Sequence, residues 1–254
     1  MNWLKIVAFA AVTVAVLPIL FLLFEGLGPL RDPAGYGPQV FSSILLTIVS
    51  SAIAVGIEVV VFTPAAYYFA RNPNSVLETV SDLPASVPHP IIGVALLLID
   101  SPLTPTGKFL DSLGINFFDT LTGLVVALVV ISTPVYIKAV EPFFASMNES
   151  HESFAKGLGA SELRTYASVV IPNSLRGVLS ASLISLSRSM SEFGSIAIIA
   201  YSVFSVYPAP VLIYQYFSST GLSPAITASA VMILVGLALM AALRVVNAKL
   251  VIRP

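Results

Sequence analysis

Six apolar stretches, at about residues 4–24, 40–70, 84–99, 121–143, 175–200 and 224–247, follow one another along the chain with short polar gaps between them. Most approach or exceed the roughly 20 residues that a helix needs to cross a ~30 Å hydrocarbon layer. In lipid the backbone finds no water for its N–H and C=O groups, so an isolated apolar segment crosses as a helix. A composition of 57% apolar and 10% charged residues, with a mean hydropathy of +0.95, lies well outside the soluble range. The sequence therefore predicts an all-α, polytopic membrane protein with about six transmembrane helices, organised as one transmembrane domain over residues 1–254. The first run has no small-x-small cleavage site before Glu25 and is followed by Gly26 and Pro29, which predicts a retained helix instead of a signal peptide. The third run is interrupted by Pro84, Pro88, Pro90 and Gly93, so a broken or re-entrant segment stands beside a plain crossing.

Basic residues set the expected orientation, because Lys and Arg of short loops are retained on the cytoplasmic side. With the amino terminus inside, Lys5, Arg71, Lys138, Lys156, Arg164, Arg176, Arg244, Lys249 and Arg253 are cytoplasmic, against Arg31 and Lys108 outside. Both termini are then cytoplasmic, and the segment 200–223, which has no charged residue, faces outward. No cysteine is present, which excludes disulfides and thiolate-held metals, and the net charge of -1 argues against a nucleic-acid partner.

The polar stretch Glu149–Pro172 interrupts this apolar pattern and lies on the predicted cytoplasmic side. Glu149 and Glu152 suit the amino-terminal dipole of a short helix that starts near Asn148 or Ser150, and Gly157 and Gly159 end it. Ser161 is placed to cap a second helix with Glu162 in its first turn, and Pro172 lets the chain leave toward the next crossing. Ala155 and Gly159 are small residues four apart, a spacing that permits close approach on one helix face. On these features alone, a connector lying on the membrane surface fits as well as a docking element.

The residue order within the stretch is more specific. ESFAKGLGASELRTYASVVIP, from Glu152 to Pro172, resembles the cytoplasmic coupling loop of ATP-binding cassette (ABC) importer permeases, whose pattern is Glu-Ala-Ala, three residues, Gly, nine residues, Ile-x-Leu-Pro. Ser153, Phe154 and Ala155 fall on the triplet, Gly159 on the glycine, Val169 on the isoleucine, and Ile171 with Pro172 on the Leu-Pro pair. Ser153 lacks the triplet's carboxylate and Phe154 enlarges a small position, so either Glu152 takes the acidic role or that role is dispensable. DLPASVPHPIIGVALLL from Asp82, RSMSEFGSIAIIAY from Arg188 and YPAPVLIYQYFSSTGLSPA from Tyr207 resemble the molybdate, tungstate and sulfate permease group, and Pro88-His89-Pro90 leans toward molybdate or tungstate. The resemblance implies a type I importer permease in the cell membrane, paired with a second copy of itself. It also implies two ATPase subunits that bind ATP and Mg, and a periplasmic or extracellular oxyanion-binding protein. Glu152, Ser153, Phe154, Ala155, Gly159, Ile171 and Pro172 would then form the contact with the ATPase, and this chain would hold no cofactor or metal.

Arg188 and Glu192 lie four residues apart, on one face if the fifth run is helical, and too deep for either to reach the interface easily. Ionisable groups at such depth cost at least ~2.5 kcal/mol on insertion scales, so they are paired or turned toward water. Two roles fit equally: an ion pair that holds the helices together, or an oxyanion-facing group beside Ser191 and Gly194 on a translocation path. Glu58 stands among Val and Ile with no sequence partner and reads as an acid kept neutral or paired across a dimer. His89 has no second ligand nearby in sequence. A phosphate loop is absent, since Gly107-Lys108 is followed by Phe109 and lacks the earlier glycine, so ATP hydrolysis falls to a partner. Two other readings remain, a permease for sulfate, thiosulfate or another oxyanion, and an ion-coupled secondary transporter with Arg188, Glu192 and Glu58 as a charge relay.

Overall fold

The computed structural model describes the backbone of residues 2–251 and the side chains of residues 3–245; Arg253 lies outside the described residues, as does the side chain of Lys249. Helices dominate, and no β-strand occurs among the described residues. They fall into two compact units, residues 2–46 with 206–238, and residues 47–205 with those from 239 onward.

The first unit contains α1 (Asn2–Leu27), a 3-10 turn at Pro33–Tyr36, the start of α2 (Pro38–Arg71), α11 (Ala209–Gln215) and most of α12 (Leu222–Val251). Its helices meet through small residues and hydroxyls. A Cβ on Gly26 would lie 2.9 Å from that of Ala230, and Thr227 Oγ1 accepts from Asp32 N at 3.0 Å. The uncharged 200–223 segment supplies α11 and a π-helical turn at Tyr216–Thr220, which ends at Gly221 with φ +116°. The hydrophobic window of α1 is not buried by this chain, an apolar surface suited to lipid or another protein.

The second unit is built on α6 (Leu121–Ala145) and α9 (Ile171–Met190), with the rest of α2, α3 (Ser75–Ser86), α4 (His89–Asp100) and α5 (Pro105–Ser112) around them. Five helical segments are long and apolar enough to span a membrane, namely α1, α2, α6, Glu162–Met190 and α12, and the pair α3 and α4, bent by 100°, raises the number to six. The bent pair settles the ambiguous third run. Glu58 meets Ser132, Thr63 meets Tyr136 and Arg71 meets Phe144, so α2 and α6 run parallel in register. Two parallel neighbours require the intervening chain to return across the layer. Asp100, at the end of α4, accepts from Phe117 N at 2.9 Å and Phe118 N at 3.1 Å, which places that end beside the start of α6. The crossing is therefore made, but by a broken pair, with its break at Val87–Pro88 where proline disfavours helix in the preceding residue.

α9 lies antiparallel on α6, and this is the tightest contact of the unit. A Cβ on Gly177 would overlap the side chain of Phe143, so glycine is what allows the two backbones to approach. Tyr136, Val140, Phe144, Val170 and Ala181 fill the adjoining core.

Two expectations are corrected. The fifth apolar run does not continue as one helix to residue 200: α9 stops at Met190, and an irregular stretch precedes α10 (Ile196–Ile199). Nor does Pro172 divide the polar loop from the next crossing. Glu162–Thr165 (α8), one π-helical turn at Tyr166–Val170 and α9 form a single span, Glu162–Met190, with Pro172 in the first turn of α9. The π-helical turn shifts the hydrogen-bond register just ahead of the proline, and Asn173 Nδ2 returns a bond to Val169 O at 2.7 Å.

Candidate functional site

The polar loop begins with α7 (Ser150–Gly157), which ends in a Schellman motif: Ala160 N donates to Ala155 O at 3.1 Å and Gly159 N to Lys156 O at 2.9 Å. Gly159 has φ +88°, the left-handed conformation that the motif requires and that glycine adopts without strain. It therefore lies beyond the helix, and the expected face shared by Ala155 and Gly159 does not exist. Ser161 Oγ then accepts from Arg164 N at 3.3 Å and caps the long segment that follows.

Glu152 is turned inward and not toward the loop's exposed surface. Its carboxylate accepts from Tyr67 Oη at 2.5 Å and Arg71 Nη2 at 2.6 Å, while Arg71 Nη1 donates to Phe144 O at 2.9 Å. Burial opposes the charge of Glu152, but the hydrogen bonds from Arg71 and Tyr67 and the guanidinium's charge outweigh it and hold the carboxyl below its ordinary value of 4.5. Glu152 thus ties α7 to the end of α2, and Arg71 carries the tie on to the end of α6. Tyr67 and Arg71 carry no motif of their own, and their distance in sequence from Glu152, 85 and 81 residues, hid this anchor.

The loop anchored in this way leaves large apolar side chains exposed: Phe154 on α7 is 73% exposed, Leu158 at its end 78% and Leu163 in α8 77%. Ser153 is exposed beside Phe154, Ala155 is half-buried, Ile171 is half-buried and Pro172 exposed. Large exposed apolar side chains on a firmly held polar loop are the features of a protein-docking surface.

A second cluster lies where two breaks in the helical backbone face each other. Arg188, in the last turn of α9, donates through Nη2 to Glu192 Oε2 at 3.1 Å, and the same nitrogen is 2.9 Å from His89 Nε2. His89 Nδ1 is 3.0 Å from Glu192 Oε2, so the ring fits as donor to the carboxylate and acceptor from Arg188. Glu192 Oε1 accepts from Ser195 N at 2.9 Å and Ser195 Oγ at 3.1 Å. The pair at i, i+4 forms as the spacing predicts, although Glu192 has left the helix: Ser191 Oγ bonds Arg188 O at 2.9 Å and the Glu192 side chain takes over the next free N–H. Gly194 permits the close fit, since its Cβ would lie 3.0 Å from Pro90 Cδ and 3.1 Å from His89 Cβ.

Beside this cluster is a cavity of about 400 Å³ lined by Arg188, His89, Ser191 and Gly194 together with Ile131 and Val135. Ile131 stands ten residues into α6, about 15 Å along it at ~1.5 Å per residue, which puts the cavity near mid-depth of the span. Irregular backbone at such depth is tolerated where protein buries it or where it lines a water-filled cavity.

Glu58, read from sequence as lacking a partner, is fully buried and bonded within the chain to the hydroxyls of Ser132 and Ser185, so it links α2, α6 and α9. Its partners are 74 and 127 residues away, beyond any local pattern. Among the described residues, no cluster of three or more His, Cys, Asp or Glu is arranged to hold a metal.

Comparison with known proteins gives the same picture on a larger scale. Residues 59–252 match the family described as binding-protein-dependent transport system inner membrane component. The molybdate/tungstate transport system permease protein WtpB of Methanocaldococcus jannaschii is 31% identical over 235 residues, 90% of this chain and 89% of the relative. Its namesake from Pyrococcus furiosus is 29% identical over 212 residues, covering 82% and 78%. The sulfate transport system permease protein CysT of Synechocystis is 27% identical over 207 residues, covering 80% and 72%.

Proposed function

We propose that this chain, which belongs to the binding-protein-dependent transport system inner membrane component family, is the permease subunit of an ABC importer that carries molybdate or tungstate. The observation that carries the proposal is the unbroken span Glu162–Met190, which starts in the docking loop and ends at the Arg188 cluster. A rigid helix joins the place where a soluble motor would push to the place where an anion would pass.

In this reading two copies of the chain pair with two ATPase subunits, which bind ATP and Mg, while an external oxyanion-binding protein delivers the substrate. Both termini and the loop are cytoplasmic. Phe154, Leu158 and Leu163 seat in the ATPase, with Ser153 beside them, while Glu152, Ala155, Gly159, Ile171 and Pro172 hold the loop's shape and join it to the span. Closure of the ATPases on ATP moves the loops as rigid bodies and opens the outer side, and hydrolysis returns the inward-facing state. Arg188, Ser191, Glu192 and Gly194 border the path. Sulfate is the second reading of the substrate, supported by the 27% identity to a sulfate permease.

The test is uptake of labelled tungstate, molybdate and sulfate into liposomes that contain this chain with the ATPase and binding protein encoded beside it. ATP-dependent uptake of tungstate or molybdate is expected. Preference for sulfate would move the protein to the second reading, and uptake without the ATPase would overturn the importer reading.

A further inference from the structure

We propose that Arg188 is the anion-binding group of a gated oxyanion site in which Glu192 occupies the guanidinium as a tethered stand-in until a tetrahedral dianion displaces it. The inference rests on the importer reading and gives the mid-depth site its ligand class and its gate.

Three observations lead to it. Arg188 uses only Nη2 inside the chain; among the described residues neither Nη1 nor Nε has a partner. Each planar N–H fork of a guanidinium that matches two oxygens of a tetrahedral oxyanion includes Nη2, so the contacts of Nη2 with Glu192 and His89 keep the fork closed until they are exchanged. Arg188 also supplies the one guanidinium among the described residues lining the 400 Å³ cavity, which no ammonium lines.

The two members of the pair are also held unequally. Glu192 has a side chain 1% exposed and keeps three other donors, Ser195 N, Ser195 Oγ and His89 Nδ1. Arg188 is 23% exposed and sits in the last turn of α9, next to a break. If Arg188 swings away, the carboxylate stays satisfied; if Glu192 were to move, three further bonds would have to break. Arg188 is therefore the movable partner, and the three donors that Glu192 retains offset part of the penalty of leaving its charge buried.

Charge decides which ligand the site accepts. With a neutral His89 the closed cluster has no net charge, and a passing dianion meets a cation already paired with Glu192. Once the helix end moves, Arg188 turns its fork to the dianion while Ser195 and His89 keep Glu192. No proton changes hands, so the exchange is a swap of hydrogen-bond partners. A carboxylate on the guanidinium also discourages monovalent anions, which compete for it less strongly than a doubly charged one.

The test uses the permease–ATPase complex held with a non-hydrolysable ATP analogue and without the binding protein, with labelled tungstate as probe, alongside ATP-driven uptake by the full system. Glu192→Gln, which keeps an acceptor for Ser195 and releases the guanidinium, is expected to raise tungstate retention about tenfold or more, as expected for one charge-assisted pair. Arg188→Gln is expected to lose retention and lower uptake about tenfold or more while the ATPase still co-purifies, and Arg188→Lys to fall between because it lacks the fork. Retention and uptake within about twofold of wild type in both Arg188→Gln and Glu192→Gln, with the wild type importing normally, would overturn the site and leave the family reading intact. Equal losses of thermal stability in both variants with unchanged retention would also overturn it, by showing a purely structural pair. Absence of ATP-driven uptake of any tetrahedral oxyanion by the wild type would overturn the importer reading and this inference together.

Discussion

Replacing Glu152 with alanine removes the carboxylate that ties the docking loop to α2, and the surrounding geometry sets the size of the effect. Tyr67 Oη and Arg71 Nη2 donate at 2.5 and 2.6 Å, and the Glu152 and Arg71 side chains are only 8% and 12% exposed, so water replaces these bonds poorly. A hydrogen bond to a charged group contributes about 1.5–3 kcal/mol, and breaking a buried pair costs about 3–5 kcal/mol. Arg71 is not left bare: it keeps Phe144 O at 2.9 Å, while Glu149 at 3.8 Å is 71% exposed and adds little through solvent. The expected loss of local docking energy is therefore about 2–4 kcal/mol, or roughly 30- to 1,000-fold more frequent opening of α7. Amide hydrogen exchange over residues 150–160 reads that opening, with the amides of α6 as an internal control. Acceleration should be confined to the loop, and Glu152→Gln should be intermediate. Loop exchange within about threefold of wild type would refute the reasoning, because the loop would then be held by its chain connections and not by the ion pair.

The same anchor has a pH dependence. Because the Glu152 carboxyl is held below its ordinary 4.5, its stabilisation is complete above that value and declines as pH falls through the lowered one. Loop protection, corrected for intrinsic exchange, should stay flat from neutrality to about pH 4.5 and then drop, and the drop should vanish in Glu152→Gln. Gly159→Leu forces a side chain into φ +88° at a cost of about 1–2 kcal/mol and distorts the turn, so ATP hydrolysis should persist while transport per ATP falls; normal uptake would refute rigid-body coupling through the loop. Gly177→Val collides with Phe143 across the α6–α9 contact and should lower the thermal midpoint or prevent accumulation of folded protein, with an effect of about 1–3 kcal/mol. Glu58→Val removes the carboxylate partner of Ser185, while Ser132 Oγ keeps Leu128 O at 2.6 Å, and should destabilise by about 1–3 kcal/mol, whereas Glu58→Gln, similar in size and able to bond both, should melt close to wild type.

What the sequence makes legible is what a short window of chain can encode. Helix type, approximate spans, the Ser161 cap and the end of the first loop helix at Gly157–Gly159 follow from neighbours within a few residues, whereas the shared face of Ala155 and Gly159 does not form because Gly159 is left-handed. The i, i+4 pairing of Arg188 with Glu192 is local in the same sense, and it survives although the helix ends between them. Helix ends in apolar sequence are harder to read. Residues 196–200 are uniformly apolar and read as a continuation of the run, yet the helix stops at Met190, where side chains bond the backbone locally and Pro90 and His89 pack against Gly194. Likewise Pro172 looked like an exit and proved to be a first-turn proline, a position where its missing N–H is tolerated at a helix start and where the π-helical turn ahead of it absorbs the mismatch.

The sites themselves are assembled across long separations, and that is why their logic could not be read in advance. Glu152 matched a family position by its acidity, but the direction of its side chain depends on Tyr67 and Arg71 at the end of another helix. His89 looked solitary because its partners are about a hundred residues away, and it acquires meaning only when the break before α4 meets the break after α9. A bilayer makes such meetings informative. Irregular backbone and paired charges each carry a large penalty in hydrocarbon, so two breaks and three ionisable side chains converging on one cavity at mid-depth are hard to maintain as a by-product of packing. The polar loop leads into one 29-residue span that ends at this cluster, with a single π-helical turn near its Glu162 end. In the proposed coupling, a displacement imposed at Phe154 and Leu158 reaches Arg188 through the turn at Gly159 and the span that follows it, with α6 as the packed neighbour.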